Sequence, residues 1–307
     1  MSTTAPTPDV QPELKEPAPP PGPGLEREAE KAESRRGFLV GLPGYAYLLL
    51  FFATPLLIVV VYSFASRSVR GATVLADWNL DSYTRMTDSL VLTIAWRSLW
   101  IATLTTLLCL LVAYPFAYYL STRPARTRAV LLVLVMIPFW SNFLVRTYAW
   151  RVLLGTDGPF TRLLATVGLD AQLLFTPTAV LIGLVYGYLP FMILPLYAAV
   201  ERLDHSLVEA ARDLYASGWQ AFWKVTWPLS RPGVIAGSIL VFIPSFGAYV
   251  TPEILGGRGS TMLGSYIARQ FIGTASDWPF GSALSVTILV LMMFAAVAYF
   301  RAGGKNL

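Results

Sequence analysis

Residues 208–228 read VEAARDLYASGWQAFWKVTWP and crowd acid, base, small and aromatic side chains into one short polar stretch. On a helix, Leu207, Ala210, Ala211 and Leu214 fall at i, i+3, i+4 and i+7 and share one face, while Glu209, Arg212 and Asp213 take the other. Ser206 and Glu209 form S-x-x-E, the pattern of a capping box that starts a helix. The chemistry of such a segment is electrostatic rather than catalytic. The alanines let another surface approach closely, and the charged face can pair with a soluble partner. The plain alternative is an amphipathic helix lying on a membrane. Catalysis has little else to draw on. There is one cysteine, Cys109, in an apolar stretch, and one histidine, His205. No Ser/His/Asp or Cys/His set is evident, no His/Cys cluster has zinc-ligand spacing, and no disulfide can form within one chain. The expectation is no catalytic residue and no metal site.

The elements that position this segment are set by composition. The chain has 307 residues, 55% hydrophobic and only 13% charged, with a mean hydropathy of +0.57. A soluble domain carries about 25% charged residues. A run of about 20 apolar residues spans a bilayer as a helix. The runs predict an all-α integral membrane protein with about six spans, at 38–64, 92–120, 129–153, 173–200, 232–252 and 278–301. A β-barrel would give short alternating segments instead. With both termini inside, the inner segments hold 14 Lys/Arg and the outer ones six. That bias predicts an N-in, C-in orientation and a cytoplasmic loop over 201–231. The net charge of +5 is thus a topology signal and does not point to nucleic acid.

Residues 1–36 carry eight prolines by position 24 and almost no large apolar side chain. They predict a disordered cytoplasmic tail ahead of a transmembrane domain over 37–307. Pro43, Pro55, Pro115, Pro138, Pro190, Pro195 and Pro244 fall within spans, where they shape helices by removing backbone hydrogen bonds. Gly183 and Gly187 make a small-xxx-small pair that allows close helix contact. Arg146 and Arg151 lie in or at the end of span three, where they can snorkel to the interface or pair with Asp157.

The polar segment also matches a motif. Glu209-Ala210-Ala211, then Ala216-Ser217, Phe222, Val225 and Pro228, resemble the EAA loop of membrane subunits of binding-protein-dependent ABC importers. Tyr215 stands at the position usually held by Gly, and Trp227 replaces the usual Leu. Tyr adopts positive φ less readily than Gly, so the break is expected in a bent helix pair with its turn nearer Gly218. VRTYAW at 145–150, PGVIAGSILVFIPSFGAYVTPEILGG at 232–257 and DWPFGSALS at 277–285 resemble the spermidine/putrescine permeases of that class.

The resemblance implies the type I importer permease fold in a bacterial cytoplasmic membrane. It implies four kinds of partner: a second homologous permease, two cytoplasmic ATPase copies, an external solute-binding protein and the lipid bilayer. It makes Glu209, Ala210, Ala211, Asp213, Tyr215, Ala216, Ser217, Gly218, Phe222 and Pro228 the ATPase-coupling residues. The chain has no G-x-x-x-x-G-K-[ST] loop, since GGKN at 303–306 is not one. ATP and Mg²⁺ therefore belong to the partner ATPase, and this chain carries no cofactor. A polyamine is a polycation, which calls for carboxylates and aromatic faces. Candidates are Glu253, Asp277, Tyr249, Phe246, Trp278 and Trp140. Each has a plainer reading that is favoured: Asp277 as a helix cap, Glu253 as the start of a short helix, the aromatics as interface belt. Arg146 and Arg151 weigh against a cation path and toward another solute, such as an iron complex, a phosphonate-like compound or another anion. A self-sufficient secondary transporter would need inverted repeats or acids in mid-span, and neither is evident.

Overall fold

The computed structural model describes residues 41–68, 73–75, 77–166, 168, 172–273 and 276–303. The tail expected over 1–36 and the first residues of span one lie outside these. The chain divides into two units, Met1–Leu57 and Ile58–Leu307. The described part of the first unit, 41–57, belongs to helix α1 (Gly41–Ser63) and buries no side chain. A π-helical stretch, Leu49–Ala53, precedes Pro55. A proline lacks the N–H of a regular turn, and a widened turn before it accommodates the loss.

The second unit is built on three long helices: α2 (Ser89–Ser121), α6 (Pro177–Glu201) and α8 (Gly218–Phe246). They pack on one another around Cys109, Ala113, Ala117, Met192, Leu196, Val200, Val234 and Val241, all buried. Close approach of α6 and α8 depends on glycine. A Cβ at Gly233 would stand 2.8 Å from the Pro195 carbonyl oxygen, and one at Gly237 would stand 2.7 Å from Met192 Sδ. The small-residue pair expected at Gly183 and Gly187 does not serve as one contact. Gly183 meets Leu255 and Thr251, whereas a Cβ at Gly187 would meet nothing.

Between α2 and α6 the chain forms α3 (Ala125–Trp140) and α4 (Phe143–Leu153), bent 89° from each other. The sequence predicts one span over 129–153, and the structure places two helices with a sharp bend between them there. The break follows Pro138: Ser141 is extended (ψ 152°), and the Asn142 side chain accepts a hydrogen bond from the Leu144 N–H at 2.8 Å to start α4. A short helix, α5 (Pro159–Thr166), follows. The helix that carries the fifth expected span starts well before Pro232: it runs from Gly218, with a π turn at Phe222–Thr226 just before Pro228. Helices α7 (His205–Asp213), α9 (Val250–Leu255), α10 (Leu263–Phe271) and α11 (Trp278–Gly303) complete the unit. Among the described residues, five helices are long and apolar enough to cross a membrane, or six if the bent α3–α4 pair is one span.

Candidate functional site

Helix α7 and the start of α8 lie at the end of the bundle where α2 and α6 finish. An Arg128–Glu201 ion pair (2.9 Å) ties α3 to α6 at this end. The cap of α7 is Asp204, whose Oδ1 accepts from the Ser206 N–H at 2.9 Å. This overturns the capping box expected at Ser206 and Glu209: an acid two residues earlier takes the role, and Ser206 lies inside the helix. The far end of α7 closes in a Schellman arrangement. The Ala216 N–H donates to the Ala211 carbonyl (3.0 Å) and the Tyr215 N–H to the Arg212 carbonyl (2.9 Å). The residue between them must turn left-handed, and it is Tyr215, at φ 60°. The break is therefore at Tyr215 itself and not nearer Gly218, which is the first residue of α8. Ser217 then caps α8 reciprocally: its Oγ accepts from the Gln220 N–H (3.3 Å), and its N–H donates to Gln220 Oε1 (3.0 Å). This capping box, eleven residues along from the one the sequence suggests, had a readable signal in S-x-x-Q.

Almost nothing of α7 is covered by the chain. Glu209, Ala210, Arg212 and Asp213 are exposed, as are Leu207 and Leu214, and Tyr215 is 98% exposed. Among the described residues neither Glu209 nor Asp213 has an ion pair. The start of α8 is different. Ala221 and Thr226 are buried, and Phe222 and Trp227 pack edge-on and tilted against Tyr114 of α2 at 5.3 and 5.5 Å. The Tyr114 hydroxyl is hydrogen-bonded to Ser230 Oγ at 2.7 Å. Of the residues expected to couple, Glu209, Ala210, Asp213, Tyr215, Ser217 and Gly218 are exposed, Ala211, Ala216 and Pro228 are partly buried, and Phe222 joins the element to the bundle. Sequence reasoning missed Tyr114, which lies about a hundred residues away on another span.

Of the six residues expected on a solute pathway, the two acids are each engaged by an arginine. Asp277 is 3% exposed. Its Oδ1 accepts from the Phe280 N–H (3.1 Å), capping α11, and its Oδ2 accepts from Arg85 Nη1 (2.8 Å). Arg85 also lies 4.3 Å over the Phe280 ring. Nearby, burial pushes the Tyr266 phenol up, the Arg85 cation opposes the shift, and the Asp88 and Asp277 carboxylates add to it. Glu253, in the first turn of α9, holds Arg269 of α10 through both oxygens at 3.0 and 3.2 Å. Phe246 is buried at the end of α8. Tyr249 and Trp278 are partly exposed, with Trp278 against Tyr62 and Phe271, and Trp140 is 80% exposed at the α3–α4 break.

Neither arginine of span three pairs with Asp157 among the described residues. Arg151 lies 5.8 Å from the Phe175 ring. Arg146 lies over the Phe139 ring (4.9 Å), with its Nε and Nη1 shielded from solvent.

The family described as "Binding-protein-dependent transport system inner membrane component" matches residues 112–302. The spermidine/putrescine transport system permease protein PotB of Escherichia coli strain K12 is 40% identical over 259 residues, covering 83% of this chain and 94% of that protein. PotB of Haemophilus influenzae is 40% identical over 262 residues, covering 84% and 91%. In fold, the chain is similar to the crystal structure of a bacterial alginate ABC transporter in complex with an alginate pentasaccharide-bound periplasmic protein. The TM-score is 0.70 at 14% identity, covering 90% of this chain and 96% of that one. The long apolar helices, the bent α3–α4 pair and these likenesses agree, and the chain belongs to the inner-membrane components of binding-protein-dependent transport systems, as a multi-pass ABC importer permease of the type I fold.

Proposed function

We propose that this chain forms half of the translocation pathway of an ATP-driven polyamine importer and couples to a separate ATPase through residues 201–231. The substrate reading rests on 40% identity, over more than four-fifths of the chain, to permeases named for spermidine and putrescine. The coupling reading rests on α7: an exposed helix whose acids have no ion pair among the described residues, joined by one turn to a helix that enters the bundle. The other half is a second homologous permease. Two cytoplasmic ATPase subunits bind ATP and Mg²⁺, and an external binding protein delivers the solute. Glu209 and Asp213 pair with basic residues of the ATPase, and Leu207, Ala210, Ala211 and Leu214 present the thin apolar face beside them. Closing of the ATPase dimer then draws two such elements together.

The carrying experiment is uptake of labelled putrescine or spermidine by cells lacking the gene, with and without the gene restored. The reading expects uptake to fall on deletion and return on restoration. Unchanged polyamine uptake, with loss of another solute, would overturn the substrate. For coupling, Glu209→Arg should remove the ATPase from the purified permease; retained ATPase and transport would overturn the pairing.

A further inference from the structure

A groove of about 730 Å³ runs between α2 and the first turns of α8. Leu107, Leu110 and Tyr118 line one side and Trp219, Phe222 and Trp223 the other, and no charged residue lines it anywhere. Leu107 and Tyr118 stand fourteen and three residues before the last residue of α2. At 1.5 Å per residue the groove therefore extends roughly 4–21 Å from that end of the helix. The same end carries α7 and is cytoplasmic by the charge bias. Half of a hydrocarbon core is about 15 Å, so the groove occupies the depth of the inner leaflet's acyl chains.

Its cytoplasmic mouth has a different chemistry. Trp219 and Trp223 are exposed there with their rings 5.5 Å apart, and no hydrogen bond among the described residues uses either indole N–H. Lys224 follows Trp223 in the π turn and is exposed. Arg123, two residues beyond α2, is also exposed and lies 4.2 Å over the Tyr119 ring. Neither cation has an ion pair among the described residues.

This division of chemistry selects the occupant. Water does not fill apolar space. A polyamine would find no carboxylate in the groove and two cations at its mouth. A helix of another subunit would bring apolar side chains but leave the cations and indole N–H groups unanswered. A phospholipid answers both, because its tail is apolar and its phosphate and ester carbonyls sit at the headgroup level, where Trp and Lys side chains meet them.

We propose that this groove is a binding site for one anionic phospholipid of the inner leaflet, with an acyl chain between α2 and α8 and the headgroup at Arg123 and Lys224. The site bears on coupling, since Tyr114, Phe222 and Trp227, which fasten the start of α8 to α2, also line it. A tail seated there packs against that joint and stiffens it.

The test uses the importer as purified from membranes through a tag on this chain, placed in nanodiscs. The probe is a phosphatidylglycerol carrying a photoreactive group in its acyl chain, and mass spectrometry maps the adducts. Adducts should concentrate on residues 107–118 and 219–227. Unlabelled phosphatidylglycerol should compete about tenfold better than phosphatidylcholine, as expected for two cations at the surface. Arg123→Glu with Lys224→Glu should abolish that preference, and Leu107→Trp should cut the adducts by crowding the tail. The charge-reversal pair leaves the apolar lining intact, so it tests the site even if the tryptophan variant fails to fold. Equal competition by the two lipids would make this ordinary bilayer contact and overturn the proposal. Adducts elsewhere on the chain but not in the groove would show that another subunit covers it, and would overturn the proposal too.

Discussion

Tyr215 holds a conformation that glycine would hold at lower cost, and this sets up a two-sided prediction. A left-handed L-residue costs about 1–2 kcal/mol relative to glycine. Its side chain is 98% exposed, so removing it forfeits no burial within the chain. Glycine returns about 0.5–1 kcal/mol of the gain through greater freedom when unfolded. Tyr215→Gly should therefore stabilise the α7–α8 break by about 0.5–1 kcal/mol, since the backbone bonds from Tyr215 and Ala216 remain. At tenfold per 1.4 kcal/mol, amide hydrogen exchange across residues 214–217 should slow about two- to fivefold in the isolated permease. A strained residue kept in place of an easier one points to use of its side chain. An exposed tyrosine at a docking surface is a common anchor, costing more than about 1 kcal/mol when truncated. Tyr215→Gly should therefore weaken ATPase binding five- to tenfold or more, measured by titrating ATPase onto permease in nanodiscs. Tyr215→Asn tolerates the same backbone and should weaken binding equally. Faster exchange in the glycine variant would refute the strain argument. Unchanged ATPase binding would refute the docking argument.

Three further outcomes follow from the packing. Asp277→Ala removes both the cap of α11 and the partner of a half-exposed Arg85; about 2 kcal/mol is expected, or a fall of roughly 4–8 °C in the thermal melt, with Asp277→Ser recovering about half through its cap. Tyr114→Phe loses the 2.7 Å bond to Ser230 and should cost about 1 kcal/mol, and ATP hydrolysed per solute moved should rise as the element loosens from α2. Gly237→Leu would force α6 and α8 apart at Met192 and cost about 1–3 kcal/mol or more, whereas Gly187→Ala meets open space and should be neutral or stabilising by up to about 1 kcal/mol on a helix; comparing their yields of monodisperse permease checks both.

Span count and the identity of the polar loop were legible because both depend on local sequence. A long apolar run can satisfy its backbone only as a helix, and Glu209-Ala210-Ala211 needs no distant partner to be noticed. Boundaries were less legible. The aromatic run at 219–227 reads as the short second helix of a bent pair, yet the Ser217–Gln220 capping box and a π turn before Pro228 make it the first turns of the long α8. The break was misplaced because glycine preference is only a preference: hydrogen bonds from Tyr215 and Ala216 to the preceding turn fix the left-handed residue whatever its type. The partners of the two acids named as pathway candidates were illegible for another reason. Asp277 and Arg85 are 192 residues apart, and Glu253 and Arg269 sixteen apart; no local pattern shows which acids are already engaged. GLVYG matched the small-residue template while the tight contact lay in GVIAG, because the template says that two helices could approach and not that they do.

The geometry also limits how a pull on α7 can be transmitted. The segment after the break is not a separate docking helix but the first part of α8, about 43 Å long at 1.5 Å per residue. Displacing its start must tilt the whole of α8 or bend it at the π turn. Bending there is resisted, because Phe222 and Trp227, on either side of that turn, both pack on Tyr114, and Ser230 bonds the same tyrosine. Tilting α8 alone is resisted as well, since Gly233 and Gly237 seat it directly on the backbone of α6. The movement that costs least keeps α2, α6 and α8 together as one block. Its give then falls at the chain's corners: residues 122–124, the break at 141–142, and 247–249. Of these, the α3–α4 corner already bends by 89° and leaves Trp140 80% exposed, so the block would turn where the chain has least packing to lose.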